Sequence, residues 1–198
     1  LTTLRKTLQR DNKPFPVAIA ARIMADACAG LHAAHELAGD HGESLGVVHR
    51  DVSPQNVIIN TLGMSKLIDF GVAKAVNRVS EKTKTGYVKG KAQYMAPEQA
   101  LAKGVDRRAD VFSVGAVLYT LLKGRYPFEA ENHLALLSKF QREDPPPPLP
   151  SATPLPIAAI IARAIPVWLK DDAEMAATMA RLDGDLSRMD NFTRAGRN

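Results

Sequence analysis

One cysteine, one tryptophan and no long uninterrupted apolar run set the first limits on this chain of 198 residues. A lone Cys28 makes no intrachain disulfide, which suits a reducing compartment and leaves the fold to rest on its core. Its Ala-rich apolar surroundings predict a buried, inert thiol. The nearest stretches to a membrane span are Val111 to Leu122, which is too short, and Leu155 to Leu169, which is broken by Arg163 and two prolines. His32, His35 and His41 lack the cysteine or acidic residues that would complete a metal-ligand spacing, so they read as core or surface histidines. Aromatic residues are scarce at 6%, yet the hydrophobic share of 45% is ordinary for a globular domain with a substantial core.

The net charge is +5, but its distribution speaks against nucleic acid. Between Asp69 and Glu98 there are six basic residues (Lys74, Arg78, Lys82, Lys84, Lys89, Lys91) against three acidic ones, so much of the excess sits in one segment. Aromatic interleaving there is limited to Tyr87 and Tyr94, and no nucleic-acid-binding motif accompanies it.

Periodicity predicts helices outside one central region. Pro16 can start a helix showing Ile19, Ile23, Ala27 and Leu31 on one face and ending near Gly39. Asp106 can cap a second that carries Val111, Val114, Leu118 and Leu121, with Gly124 to end it. Leu134, Leu137 and Phe140 mark a third. The Pro-rich run from Asp144 to Pro156 reads as an extended connector, followed by helices over Ile157–Ile165 and Asp172–Leu182. Residues after Asp183 are polar and read as a poorly ordered tail, which gives two units, 1–182 and 183–198. The central region differs: short apolar runs at Leu45–Val48, Val57–Ile59 and Lys66–Ile68, with Asn60–Gly63 as a turn, place what lies between them at strand ends and on loops.

Three strings occupy those loops and the segment beyond them. They are His49-Arg50-Asp51 with Asn56 five residues after the aspartate, Asp69-Phe70-Gly71, and Ala96-Pro97-Glu98. A short string such as Asp-Phe-Gly is a weak signal, and an ordinary turn would explain it. All three in this order and spacing resemble the signature set of a bacterial eukaryotic-like Ser/Thr protein kinase. The implied fold is mainly α with a small β-hairpin region, the large C-terminal lobe of a kinase domain.

The resemblance implies roles. Asp51 would orient the acceptor hydroxyl, and Asn56 and Asp69 would hold Mg²⁺ or Mn²⁺ against the phosphates of ATP, with Ile58 also on the nucleotide. Arg50 beside the catalytic aspartate implies control by phosphate on the activation segment, with Ser80, Thr83 and Thr85 as acceptors. His49, Phe70, Gly71 and Glu98 are framework positions. Asp110, in Asp110-Val111-Phe112-Ser113-Val114-Gly115, resembles the aspartate that hydrogen-bonds the backbone of the catalytic loop; as a first-turn acid it would also be favoured by the helix dipole.

Departures from the pattern matter equally. A Gly-rich loop, a strand lysine and its glutamate are missing, and Val17-Ala18-Ile19-Ala20 imitates the lysine motif only in letters. A piece of a kinase domain is therefore expected, with the small lobe of the same domain and a protein substrate as partners, in the cytoplasm, a membrane anchor outside this piece being compatible with that. Ser53 stands where a lysine is usual two residues after the catalytic aspartate, and Lys91 where a threonine is usual before Tyr94. This exchange suggests that the cation has moved between loops, with Lys91 supplying the charge and Ser53 orienting it. Near Trp168 the arginine that would pair with Glu98 is absent, leaving Lys170 as a substitute. Three functions stand: a Ser/Thr kinase, inactive as this piece alone; a pseudokinase or other binding module; and a small-molecule phosphotransferase, which Ala96-Pro97-Glu98 and the central helix disfavour.

Overall fold

A computed structural model describes residues 1–70, 92–142 and 146–165. Helices α1 (Thr2–Arg10) and α2 (Val17–His35) lead into a long loop, then the antiparallel hairpin β1 (Val57–Ile59) and β2 (Ser65–Leu67). After a single 3₁₀ turn at Ala92–Tyr94 come α3 (Pro97–Ala100), α4 (Arg108–Lys123), α5 (His133–Gln141) and α6 (Leu155–Ala164). The mainly helical class with one small hairpin is as expected.

The centre of the fold is α4, because its sequence offers no polar face. Every residue from Ala109 to Leu121 is buried, as a helix surrounded by others must be. Asp106 accepts the Arg108 amide through Oδ1 at 2.8 Å just before the first turn, and Gly124 closes the helix in the left-handed region at φ 79°. Against α4 pack α2, α6 and the 3₁₀ turn. Phe112 also stacks on Phe128 at 6.2 Å, and Phe140 of α5 meets Phe128 edge-on at 5.2 Å.

Several faces differ from the reading of the sequence. Ile19 is 48% exposed, and the buried line of α2 runs through Ala20, Ile23, Met24, Ala27, Leu31 and His35. Of the expected line, Ile23, Ala27 and Leu31 are buried and Ile19 alone turns outward, since a spacing of four drifts by about 40° per step on a 3.6-residue helix. Cys28 falls beside that line and is half-buried rather than buried. The helix ends at His35, and the chain turns back through an isolated bridge between Ala38 and Ser44. Leu134 is 78% exposed while Leu136 and Phe140 are buried. Leu45–Val48 forms no strand, and α1, which has no fully buried residue, was not foreseen. The helix at 172–182, the tail, Trp168 and Lys170 lie outside the described residues.

By length and composition α2, with a mean hydropathy of 1.3, would cross a membrane. Its buried side is instead part of the core, and its other side carries an Arg22–Asp26 ion pair at 3.0 Å. Asp26 also accepts the amide of Ser65 at 2.9 Å, which seats the hairpin on this helix.

Glycines on two of these helices should respond oppositely to alanine. A Cβ on Gly115 would lie 2.6 Å from that of Ala164, so Gly115→Ala must push α4 from α6 and should destabilise by ~1–3 kcal/mol. Gly30 on α2 has nothing within 4 Å of its virtual Cβ, and Gly30→Ala should stabilise by ~0.5–1 kcal/mol. Urea midpoints of the two variants decide it, and shifts of the same sign would contradict this packing.

Candidate active site

The site begins with a buried carboxylate. Asp110, fully buried in the first turn of α4, accepts the amide of His49 through Oδ2 and that of Arg50 through Oδ1, both at 2.8 Å. Its Oδ2 also takes the Nε2 hydrogen of His35 at 2.8 Å. A buried charge is tolerable only when its lone pairs are taken up in this way. The grip matters because Arg50 sits at φ 63°, in the left-handed region that a non-glycine residue occupies at a cost of ~1–3 kcal/mol. The bonding of Asp110 to the backbone of the His49-Arg50-Asp51 loop is as the resemblance implied. His35 was not foreseen, although its place on the buried line with Leu31 and Ala27 was the available signal.

His49 carries the connection onward. Its Nδ1 accepts the amide of Asp51 at 3.2 Å, so its Nε2 holds the hydrogen and donates to the Ile68 carbonyl at 3.0 Å. Burial pushes its pKa down, in keeping with that neutral tautomer. The ring also lies 4.5 Å from that of Phe70, tilted by 46°. One imidazole thus ties the residue two before Asp51 to the residue just before Asp69.

The hairpin brings in the amide. Asn56 precedes β1 and Ile68 follows β2, and their backbones pair through the Ile68 amide and the Asn56 carbonyl at 2.9 Å. Asn56 and Asp69 therefore emerge at the same end of one hairpin. Asn56 is buried and donates through Nδ2 to the Asp51 carbonyl at 2.7 Å, so its amide oxygen is the atom it can offer a cation. Asp69 is exposed at φ 59° and Asp51 is half-buried. Ile58, in the middle of β1, is 51% exposed on the face opposite Val57, beside a cavity of about 450 Å³ that Leu1 and Pro54 also line.

A second clamp comes from α3. Gln99 accepts the Ala96 amide through Oε1 and donates through Nε2 to the Arg50 carbonyl at 3.0 Å. No sequence signal singled it out. Ser53 is 1% exposed, and its hydroxyl has no partner among the described residues. Gly71, Ser80, Thr83, Thr85 and Lys91 lie outside those residues.

Glu98 is half-buried, its Oε2 is shielded from water with no partner among the described residues, and burial raises its pKa above the ordinary carboxyl value. The folded state then holds a proton that the unfolded state has released. Stability should fall as pH rises from the unfolded value of about 4.3 through the raised folded one, and then level off. Glu98→Gln should therefore stabilise most above that window and very little near pH 4. Urea midpoints across pH test it, and a gain independent of pH would refute the assignment.

The comparisons agree with this geometry. A family described as "Protein kinase domain" matches residues 2–153. The chain is 46% identical over 167 residues to "Tyrosine-protein kinase MasK" of Myxococcus xanthus, covering 83% of this chain and 25% of that protein. It is 36% identical over 190 residues to "Probable serine/threonine-protein kinase PknB" of Corynebacterium glutamicum, covering 94% and 28%. To "Serine/threonine-protein kinase PknB" of Mycobacterium tuberculosis it is 34% identical over 192 residues, covering 96% and 29%. It spans less than a third of the length of these relatives. With Asp110 holding the His49-Arg50-Asp51 loop and a hairpin presenting Asn56 and Asp69 beside it, the chain belongs to the protein kinase domain family.

Proposed function

We propose that this chain is the large lobe of an ATP-dependent protein kinase that transfers the γ-phosphoryl group to a serine or threonine hydroxyl of a protein. One observation carries the reading: the bond from His49 to the Ile68 carbonyl draws the Asp51 loop and the Asn56–Asp69 hairpin end together. Asp51 orients the acceptor hydroxyl and takes its proton. An oxygen donor set of one carboxylate and one amide fits Mg²⁺, which takes few protein ligands and completes its shell with phosphate and water. Asn56 and Asp69 would hold it, and the bound cation neutralises charge on the phosphates. The exposed Ile58 offers an apolar surface to the nucleotide base.

The small lobe of the same domain completes the nucleotide site, so the isolated 198 residues have little or no activity. The single thiol and the family together favour the cytoplasm. Retention of Asp51, Asn56 and Asp69 favours catalysis over a pseudokinase or a pure binding module. A tyrosine acceptor is the second reading, favoured by the printed name of the 46% identical relative. Arg50 pairs with phosphate on Ser80, Thr83 or Thr85 when the kinase is active.

In the intact kinase, Asp51→Asn should lower kcat by ~10²–10⁴ with nucleotide affinity nearly unchanged. Asp69→Asn should instead weaken metal-dependent ATP binding. Mass spectrometry of the same reactions reads the acceptor hydroxyl and any phosphate on the three candidate residues. Wild-type turnover by Asp51→Asn would sink the proposal.

The exchange of Ser53 and Lys91 is part of it. A buried hydroxyl without a partner is a costly group to leave unsatisfied, and it supports Ser53 as the residue that orients the Lys91 ammonium toward the transferred phosphate. Lys91→Thr should slow turnover by roughly one to two decades, and Ser53→Lys added to it should restore part of that. A double-mutant cycle measures the coupling, and strict additivity would leave the exchange without support.

A further inference from the structure

A cavity of about 470 Å³ lies between α1, the loop that follows it and the C-terminal end of α4. Three cations line it, Arg5, Lys13 and Lys123, and no carboxylate does. Arg5 is the informative one. Its side chain is half-buried, its Nε–H is buried without a partner, and it pairs with no carboxylate among the described residues. One terminal nitrogen donates to the Tyr94 hydroxyl at 3.2 Å, and the guanidinium lies 5.6 Å over the ring of Tyr126. A guanidinium presents five donors in a fixed fork suited to a carboxylate. Here the tyrosine hydroxyl and the ring face use only part of that fork.

The end of α4 does not explain Arg5. Exposed carbonyls at a helix C-terminus attract cations, but here Gln9 bonds the Gly124 carbonyl and Lys123 turns to the carbonyl of Pro148. Arg5 makes no bond to a carbonyl of the described residues and donates to the Tyr94 hydroxyl instead. At the same corner, the wall residue of α4 is Thr120, a neutral side chain whose hydroxyl is spent on the Ala116 carbonyl at 2.7 Å. The corner thus holds a half-buried cation and no countercharge among the described residues.

Its place in the fold indicates whose charge is missing. Tyr94 belongs to the stretch that runs into α3, and α3 holds the Arg50 carbonyl beside Asp51 through Gln99. We propose that this cavity binds an aspartate or glutamate of the protein substrate, with Arg5 as the specificity-determining residue and Lys13 adding long-range attraction. The identity of the ligand as a substrate segment rests on the phosphotransfer reading; its acidic chemistry does not.

The test uses the intact kinase and a neutral acceptor peptide in which one Glu is placed at successive positions, each beside its Gln counterpart. At one position the Glu peptide should bind about tenfold more tightly by fluorescence anisotropy, and its KM should fall likewise with kcat unchanged. The preference should shrink as salt is raised. Arg5→Gln should abolish it, Arg5→Lys should keep part of it, and Arg5→Glu should invert it in favour of a Lys peptide. Absence of any Glu preference, or its persistence in Arg5→Gln and Arg5→Glu, would overturn the proposal. So would a fall in thermal stability with the preference unchanged, which would make Arg5 a structural cation. Selective binding without phosphate transfer would leave this site standing and remove the proposed activity instead.

Discussion

Everything at the site depends on one carboxylate that water does not reach. Asp110 is fully buried in a helix whose surroundings are almost wholly apolar, where an unpaired charge would cost several kcal/mol. It is held by two backbone amides and an imidazole, and those same bonds hold the loop that carries Asp51. The dependence is mutual. A loop with Arg50 in the left-handed region would relax if released, and a carboxylate deprived of the loop would be left desolvated and underpaired. Placing the acid in the first turn of α4 adds the favourable end of the helix dipole. The rigidity of the packed core is in this way transmitted to a backbone segment that has no regular structure of its own.

From that anchor the other reactive groups follow by short steps. His49 reaches the hairpin through Ile68, the hairpin aligns Asn56 with Asp69, and Asn56 returns to the Asp51 carbonyl. The circuit closes on itself, so no member can move far without breaking a bond to another. Gln99 adds a brace from α3 on the opposite side of Arg50. A closed circuit of fixed donors suits chemistry that depends on positioning more than on any one reactive side chain.

The parts of this arrangement that were legible in the sequence are those whose chemistry demands particular residue types. On the proposed function Asp51, Asn56 and Asp69 would need to be oxygen donors near one point, and strand-like runs around two of them located the hairpin. Asp110 was legible through the resemblance of Asp110-Val111-Phe112-Ser113-Val114-Gly115 to the family's central helix, and as a first-turn acid favoured by the helix dipole. Helix faces were less legible. On α4 burial is complete around the axis, so the periodic residues carry no direction, and on α2 the repeat of four holds for Ile23, Ala27 and Leu31 but fails at Ile19, where the drift has reached solvent. Helix α1 stayed hidden because it buries no residue fully: Thr3, Lys6, Thr7, Gln9 and Arg10 are exposed, and Arg5 turns to Tyr94. His35 and Gln99 were missed for a related reason: each acts through one long-range bond, and one sequence does not show which residues fold together.

The relatives separate two layers of this design. Proteins printed as tyrosine kinase and as serine/threonine kinase match the chain at 46% and at 34–36% identity, over spans that include the whole circuit. On the proposed function, the choice of acceptor falls outside Asp110, His49 and the hairpin end, whose bonds are spent on the framework. It must be made where a substrate meets less constrained surface, beyond the closed set of bonds. Arg5 has that character. It is attached to the framework through Tyr94 but is required by none of the bonds that fix Asp51, so its charge can read a substrate without disturbing the groups that act on it.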